Sequence, residues 1–521
     1  MEDEHYQAFA SNTFMNMNHA AAEPAIILNE EQSHAIDLIL SKEYHFVFLT
    51  GGAGTGKTTV IKELRRQLDS DQKKYLIVAP TGIAAINVGG KTIHSQFHIS
   101  SRGKPSFSRA TFEKDEGLRS FIHSLEFLII DEISMVRADL MDVLLYILRL
   151  YGPYPFEPNG GISVVFAGDL LQLSPILVNP DETPKIKQKY ETDGTYQWRK
   201  REYDDFIRKY PTSKYFIAAK DLPSEKICRI MLRENHRLDK SDPNQREFYR
   251  HLNTIRKGRT QPLGIPLPQD FCLISQPADM GLGEACAYFN KRVKKDCHRE
   301  CDLTIAAVKK IAENINKKRM KELPGKSRII KAGIKDYIGR DNNEAKAYCE
   351  NYYLSPILLE LKIQAKVMVT KNLYINSLYI PNGSIGTVLS ITEKPGQTDI
   401  APQDRDYDVE IEMLRPHKGS CVTLSREIWH ETILVSIDKG RTEEVPSLDF
   451  SQIPIMPAWA ITIHKSQGLT LENYAIFPYG NPAESLIYVA LSRAKRLSDI
   501  HLEEKLKPEK INCDPMATRF Y

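Results

Sequence analysis

Residues Leu49 to Thr59 leave little freedom for the fold around them. They read Leu49-Thr50-Gly51-Gly52-Ala53-Gly54-Thr55-Gly56-Lys57-Thr58-Thr59 and satisfy G-x-x-x-x-G-K-[ST] in full. Upstream, the apolar and aromatic run from Tyr44 to Leu49 predicts a buried strand. Downstream, Val60, Ile61, Leu64 and Leu68 fall on one face of a helix. In a strand, glycine loop and helix of this kind, backbone N–H groups close around phosphate oxygens and the helix N-terminus adds partial positive charge. Gly52, Ala53, Gly54, Thr55, Gly56, Lys57, Thr58 and Thr59 are therefore expected to cradle a nucleoside triphosphate. Lys57 would reach the β- and γ-phosphates, and the Thr58 hydroxyl would hold Mg²⁺.

A chain of 521 residues exceeds one core, and its length points to three or four domains. A net charge of only +3 means that any nucleic-acid surface must be local. No apolar run approaches the length of a membrane span, so no membrane partner is expected. The opening Met1-Glu2-Asp3-Glu4, with no Lys or Arg before Lys42, argues against a secretory signal or a transit peptide. Eight scattered cysteines fit a reducing compartment. Cys286, Cys297-His298 and Cys301 form their one cluster, but without a second close ligand pair they read as free thiols.

Residues 1–26 are polar and without period, which predicts a mobile tail. Asn29 then reads as the N-cap of a helix carrying Ala35, Ile36, Leu38 and Ile39, and Gln32 could offer its amide to an adenine edge. Three further apolar strands end in polar or small residues. They run Tyr75 to Val78 into Ala79-Pro80-Thr81-Gly82, Phe127 to Ile130 into Asp131-Glu132, and Ser163 to Ala167 into Gly168-Asp169. Strands apolar on both faces, alternating with helices, predict a parallel sheet covered on both sides, with ligands at the strands' C-terminal ends. This first core is expected over 27–98 and 123–178. Residues 179–213 lose their period and read as a charged connector or insertion.

A second α/β unit is expected over 214–325 and 454–510, starting near Tyr215-Phe216-Ile217. Its basic runs, Arg250, Arg256, Lys257 and Arg259 and then Lys291, Arg292, Lys294 and Lys295, read as solvated helix faces. Between its halves, residues 326–453 carry short β-type runs, with a hairpin signal at Asn382-Gly383, and predict a small β-barrel insert. Residues 511–521 read as a C-terminal tail.

Asp131-Glu132 supplies the second half of a phosphate-loop site. The first carboxylate would hold Mg²⁺, usually through water, and the second would activate the attacking water. Gln172 would place an amide near the γ-phosphate. Arg237 and Arg493, one from each end of the second α/β region, are candidate arginine fingers.

The ordered series Gln32, GGAGTGKT, Ala79-Pro80-Thr81-Gly82, Thr92-Ile93-His94-Ser95, Asp131-Glu132-Ile133-Ser134-Met135, Gly168-Asp169-Leu170-Leu171-Gln172-Leu173, His464-Lys465-Ser466-Gln467-Gly468 and Val489-Ala490-Leu491-Ser492-Arg493-Ala494 resembles superfamily-one helicases of the petite-integration-frequency (PIF) branch. RecD-like enzymes are close cousins. The resemblance spans about residues 27 to 503. It implies two RecA-like parallel-sheet domains, a small wedge insert near 99–122 in the first, and a small β-barrel insert in the second. It implies Gln32 at adenine, Lys57 and Thr58 at phosphate and Mg²⁺, Asp131 and Glu132 in hydrolysis, and Gln172, Arg237 and Arg493 around the γ-phosphate. Pro80, Thr81, His94 and Phe97, with His464, Lys465 and Ser466, match motifs that touch single-stranded DNA, Phe97 as a ring on which a base stacks. The chain departs from the pattern where Leu238 follows Arg237, and where Ser174-Pro175 replaces a proline pair.

The expected protein is therefore a monomeric ATP- and Mg²⁺-dependent DNA helicase that translocates on single-stranded DNA and opens tailed or forked duplex DNA; the 5′ to 3′ direction is implied by the resemblance alone. Two other classes fit parts of the pattern. One is a nucleic-acid clamp or remodeller that hydrolyses ATP without separating strands. The other is a small-substrate phosphate-loop kinase, against which the His464 to Thr470 motif and the second α/β unit weigh.

Overall fold

Runs of consecutive apolar residues suit strands whose two faces are both buried, as in a parallel sheet flanked by helices, and the first half of the chain builds such a sheet. A computed structural model describes residues 27–97, 99, 105, 116–181, 184–192, 195–223, 226–237, 239, 241–258, 281–375, 378–380, 382–397, 399–415, 417–438, 441–479, 485–514, 517 and 518. The expected tail over 1–26 and most of the expected wedge over 99–122 lie outside them.

The first unit opens with α1 (Glu30–Leu40), β1 (Phe46–Gly51), α2 (Lys57–Ser70), β2 (Tyr75–Ala79), α3 (Gly82–Val88) and β3 (Lys91–Thr92). It continues with α4 (Glu116–His123), β4 (Phe127–Ile130), α5 (Ala138–Tyr151) and β5 (Ser163–Gly168). Helices α6 (Pro184–Thr192) and α7 (Tyr196–Lys209) precede β6 (Ile227–Leu232). The sheet order is β3-β2-β4-β5-β1-β6, and each pairing is parallel. One face is covered by α1 and α2 through Ala35, Ile36, Ile39, Val60, Ile61 and Leu64; the other carries α5 through Leu144, Ile147 and Leu148. Strands β1, β4 and β5 are buried throughout, which fixes the turns that follow them.

Three expectations are corrected here. The 179–213 stretch is largely helical: Phe206 and Tyr210 pack on Ala138, and the Tyr210 hydroxyl donates to Asp142 at 2.5 Å. Residues 214–232 belong to the first unit. Tyr215 and Phe216 enter its core, and β6 pairs with β1 from Phe46↔Ile227 to Gly51↔Leu232. A half-exposed edge strand carries no local signature of the sheet it joins, so its position in the chain was a poor guide. The expected C-terminal tail is anchored, since Cys513 and Ala517 pack in the first unit's core.

The second unit begins with α8 (Pro243–Lys257), α9 (Leu282–Asn290), β7 (Leu303–Ala306) and α10 (Lys309–Glu322). Helix α9 stops at Asn290, so the run Lys291 to Lys295 is not helical, and Arg292 instead donates to the carbonyls of Ile500 and Ser498 at 2.9 and 3.0 Å.

The insertion contains β8 (Arg328–Lys331), β9 (Gly333–Asp336), α11 (Asn342–Tyr352), β10 (Leu358–Leu361), β11 (Lys366–Val369), β12 (Leu373–Ile375), β13 (Leu378–Ile380), β14 (Ile385–Glu393), β15 (Tyr407–Arg415), β16 (Cys421–Leu424), β17 (Glu427–Asp438) and β18 (Arg441–Gln452). With β19 (Ile455–Pro457) these form antiparallel sheets, the largest in the order β16-β15-β14-β11-β19. Gly383 adopts a left-handed φ of 92°, so Asn382-Gly383 is a turn, but β13 pairs with β12 and β14 with β11 and β15. That turn passes between sheets instead of closing a hairpin.

The chain then returns through β20 (Ala460–Thr462), β21 (Tyr474–Phe477), α12 (Leu486–Leu491) and β22 (Ile500–Leu502). Strands β20-β7-β21-β22 make a second all-parallel sheet.

Candidate nucleotide site and its nucleic-acid flank

The loop between β1 and α2 takes its shape from glycine backbone. Gly56 sits at φ 86°, and a Cβ there would lie 2.2 Å from Gln32 Nε2. No side chain caps α2, which leaves its first N–H groups directed into the loop. Lys57 Nζ donates to the Gly51 and Gly52 carbonyls at 2.8 and 3.1 Å. Burial lowers its pKa, while Asp169, Glu132 and Asp131 act to raise it. Thr58 is exposed at the mouth of the loop.

Asp131 follows the last residue of β4, and Glu132 turns away in left-handed backbone at φ 49°. Burial pushes both carboxyls above the ordinary range. Asp131 raises Glu132 further, and Lys57 and Arg493 pull it back. A carboxyl held in this way is a suitable proton acceptor near neutral pH. Gln172 is buried, and its Nε2 donates to Asp169 Oδ2 at 3.3 Å.

The second unit closes over this site. Arg493 is buried just beyond α12, where Nε donates to the Val489 carbonyl at 2.9 Å and Nη2 to Ser492 Oγ at 2.7 Å. Arg237 Nη1 donates to the Ser492 carbonyl. Burial first, and Arg493 second, push the Arg237 pKa down to about 10. The two arginines thus meet at Ser492. Only Arg493 comes from the second unit; Arg237 follows β6 and is delivered by the first, contrary to the sequence reading. Tyr488 of α12 accepts the Ala53 N–H at 3.0 Å, and Asn235 Nδ2 donates to the Ala53 carbonyl at 2.8 Å.

Gln32 lies at the other side of the loop. It forms a capping box with Asn29, its Nε2 donates to the Thr55 carbonyl at 3.4 Å, and it lies 3.3 Å from His236 Nε2. His236, Asn235, Tyr488 and Arg256 were missed in the sequence. His236, Asn235 and Tyr488 reach Gln32 or the loop across more than 180 residues of chain, Arg256 meets Asp169 across 87, and no local spacing marks them. Arg256, read as part of a solvated helix face, is instead paired with Asp169 at 2.7 Å.

The residues matched to DNA-contacting motifs divide into two groups. Pro80 and Thr81 stand half-buried after β2, where Thr81 Oγ1 accepts the Ala84 N–H at 3.3 Å. His94 lies in the single turn Ile93–Gln96, and burial, then Arg137, lower its pKa. His464 and Lys465 occupy a turn after β20, and burial lowers both pKa values. Two assignments are corrected. Phe97 is 0% exposed inside the first core and offers no ring to a base. Ser466 is equally buried, and its hydroxyl donates to the Ile463 carbonyl at 2.7 Å.

Two parallel sheets, a phosphate loop on one and an arginine brought to its carboxylates by the other define a two-unit phosphate-loop nucleotide-binding protein. Residues 27–203 match the model of the PIF1-like helicases. The ATP-dependent DNA helicase PIF1 of Danio rerio is 28% identical over 501 residues, covering 95% of this chain. The chain spans 63% of the length of that relative. A Bacteroides sp. Pif1 in complex with ADP-AlF4 superposes with a TM-score of 0.69 at 26% identity, covering 95% of this chain and 96% of the other. The Bacteroides protein bound to ssDNA gives 0.57 over the same shares. The chain is thus similar to PIF1-like helicases over nearly its whole length, and the family model itself matches its first part.

Proposed function

We propose that this chain is an ATP-dependent DNA helicase that moves 5′ to 3′ on single-stranded DNA and opens tailed or forked duplexes. The observation that carries the reading is the composite site: Arg493 of the second unit acts on Glu132 of the first, beneath a loop that Tyr488 also contacts. Such a site changes whenever the two units move relative to each other, and a motor needs that coupling.

The residues present fit a nucleoside triphosphate with Mg²⁺. The uncapped α2 N-terminus and Lys57 supply positive charge, and Thr58 and Asp131 supply the hard oxygen donors that Mg²⁺ prefers. The ion would neutralise charge on the transferring phosphoryl group. Glu132 takes a proton from the attacking water, Gln172 and Lys57 orient toward the γ-phosphate, and Arg237 and Arg493 stabilise its transition-state charge. Gln32 meets the adenine edge. On the DNA side, Pro80, Thr81 and His94 grip the strand from the first unit and His464 and Lys465 from the second. Alternate tightening of the two grips gives stepping. We place the domain boundaries at the end of β6 and around an insertion over 326–453 that closes as a small barrel.

The relatives' complexes with ADP-AlF4 and with ssDNA support this reading. It is tested by ATPase activity with and without single-stranded DNA. Stimulation is expected, and unstimulated hydrolysis with phosphate transfer to a small acceptor would favour a kinase.

A further inference from the structure

Asp169 and Arg256 form a buried ion pair between the two units. Asp169 is 0% exposed in the turn after β5. Its Oδ1 accepts Arg256 Nη2 at 2.7 Å and the Leu171 N–H at 3.1 Å, and its Oδ2 accepts Arg256 Nε at 3.1 Å and Gln172 Nε2 at 3.3 Å. The guanidinium arrives on α8, whose Phe248, Leu252 and Ile255 pack in the second unit's core. One carboxylate therefore holds a cation of the second unit and, at the same oxygen, the amide of the first. Among the charges that act on Lys57, Asp169 is the strongest, and Arg256 opposes it. An Asp169 without its guanidinium would compete with phosphate for Lys57 and release the fixed orientation of Gln172.

We propose that Arg256 is a positioning residue for hydrolysis. By engaging Asp169 it keeps Gln172 and Lys57 directed at the γ-phosphate only while α8 is docked, so turnover follows the placement of the second unit. This rests on the ATPase reading above and identifies how that site is regulated. The planar two-nitrogen contact is what matters, because a point charge on a flexible stem cannot hold both oxygens in one plane.

The test uses the full chain with Arg256→Gln, Arg256→Lys and the double variant Asp169→Asn/Arg256→Gln, read as DNA-stimulated ATPase, KM for ATP and melting temperature. Arg256→Gln is expected to lower kcat on the order of 10²-fold, the usual cost of a misplaced catalytic group, with KM nearly unchanged. Arg256→Lys should recover little of this. The double variant leaves no lone buried carboxylate, so it should fold even if Arg256→Gln does not. Its kcat should be no lower than that of Arg256→Gln, because the two residues act as one unit. The inference is overturned if folded variants keep wild-type kcat and lose only melting temperature, or if Arg256→Lys restores the full rate. A raised KM with unchanged kcat also overturns it, since Arg256 would then be a direct ligand of ATP. A wild-type protein without DNA-stimulated ATPase defeats the parent reading, whereas an active wild type with equally active variants defeats this inference alone.

Discussion

Lys57, Glu132 and Arg493 each carry a structural cost beside the role in hydrolysis proposed for them, and their variants separate the two. Lys57 gives up hydration to sit on two loop carbonyls, a contact that phosphate oxygens would replace in the proposed ATP complex. Lys57→Ala should abolish hydrolysis, measured as phosphate release at saturating ATP and DNA. Glu132 is held in left-handed backbone with its carboxyl raised by burial and by Asp131. Its folded-state pKa exceeds the unfolded value, so the native state binds the proton more readily. The group therefore weakens folding above that value and weakens it less as pH falls through it. Glu132→Gln should accordingly raise the melting temperature of the nucleotide-free protein near neutral pH while lowering turnover about 10²- to 10⁴-fold. In the wild type, kcat should fall with acid at a higher pH than an ordinary glutamate would give. A melting temperature unchanged by Glu132→Gln would show that the carboxyl is not under strain. Arg493→Ala should cost hydrolysis on the order of 10³-fold, about 4 kcal/mol of transition-state stabilisation, and Arg493→Lys should not rescue it. ATPase of Arg493→Ala near the wild-type rate would remove Arg493 from the site.

Among the elements, α12 joins the units alongside α8, because it carries Tyr488 to the phosphate loop and ends beside Arg493. Tyr488→Phe removes the acceptor of a buried N–H. It should lower the stability of the nucleotide-free protein by about 1–3 kcal/mol, read by denaturant titration. An unchanged midpoint would mean that this contact does not hold the units together. The sequence was legible where an element and its ligand chemistry are continuous in the chain. The β1-loop-α2 unit, Asp131-Glu132 after β4 and Gly168-Asp169 after β5 are of this kind. It was illegible where a strand or side chain finds its partner far along the chain. Ile227–Leu232 is a plain strand in either unit until it pairs with β1, and Arg256 reads as a solvated helix residue until Asp169 meets it. Phe97 and Ser466 fail for a related reason. A motif position gives a residue's neighbourhood, but only packing decides whether its side chain faces the strand or the core.

Across the whole molecule, the insertion leans on the first unit beside the expected strand path. A Cβ on Gly82 would lie 2.5 Å from the Tyr352 carbonyl, so the close approach of α11 to the start of α3 requires glycine there. Behind this contact, Tyr348 and Tyr353 hydroxyls donate to Glu431 at 2.9 and 3.0 Å, and burial raises the Glu431 pKa. Gly82→Ala should push the insertion away, seen as a larger radius of gyration in small-angle scattering of the DNA-free protein; an unchanged radius would show that the contact is incidental. DNA affinity should fall steeply with salt, with a logarithmic slope of about 0.7 per phosphate contacted on a single strand. The account as a whole depends on ATP hydrolysis being spent on directional movement along one strand. The direct measurement is strand separation of a short duplex bearing a 5′ or a 3′ single-stranded tail, with Mg²⁺ and ATP. The account predicts ATP-dependent separation of the 5′-tailed duplex and little of the 3′-tailed one, both lost in Lys57→Ala. DNA-stimulated ATP hydrolysis without separation of either duplex would contradict it and identify the chain as a clamp or remodeller.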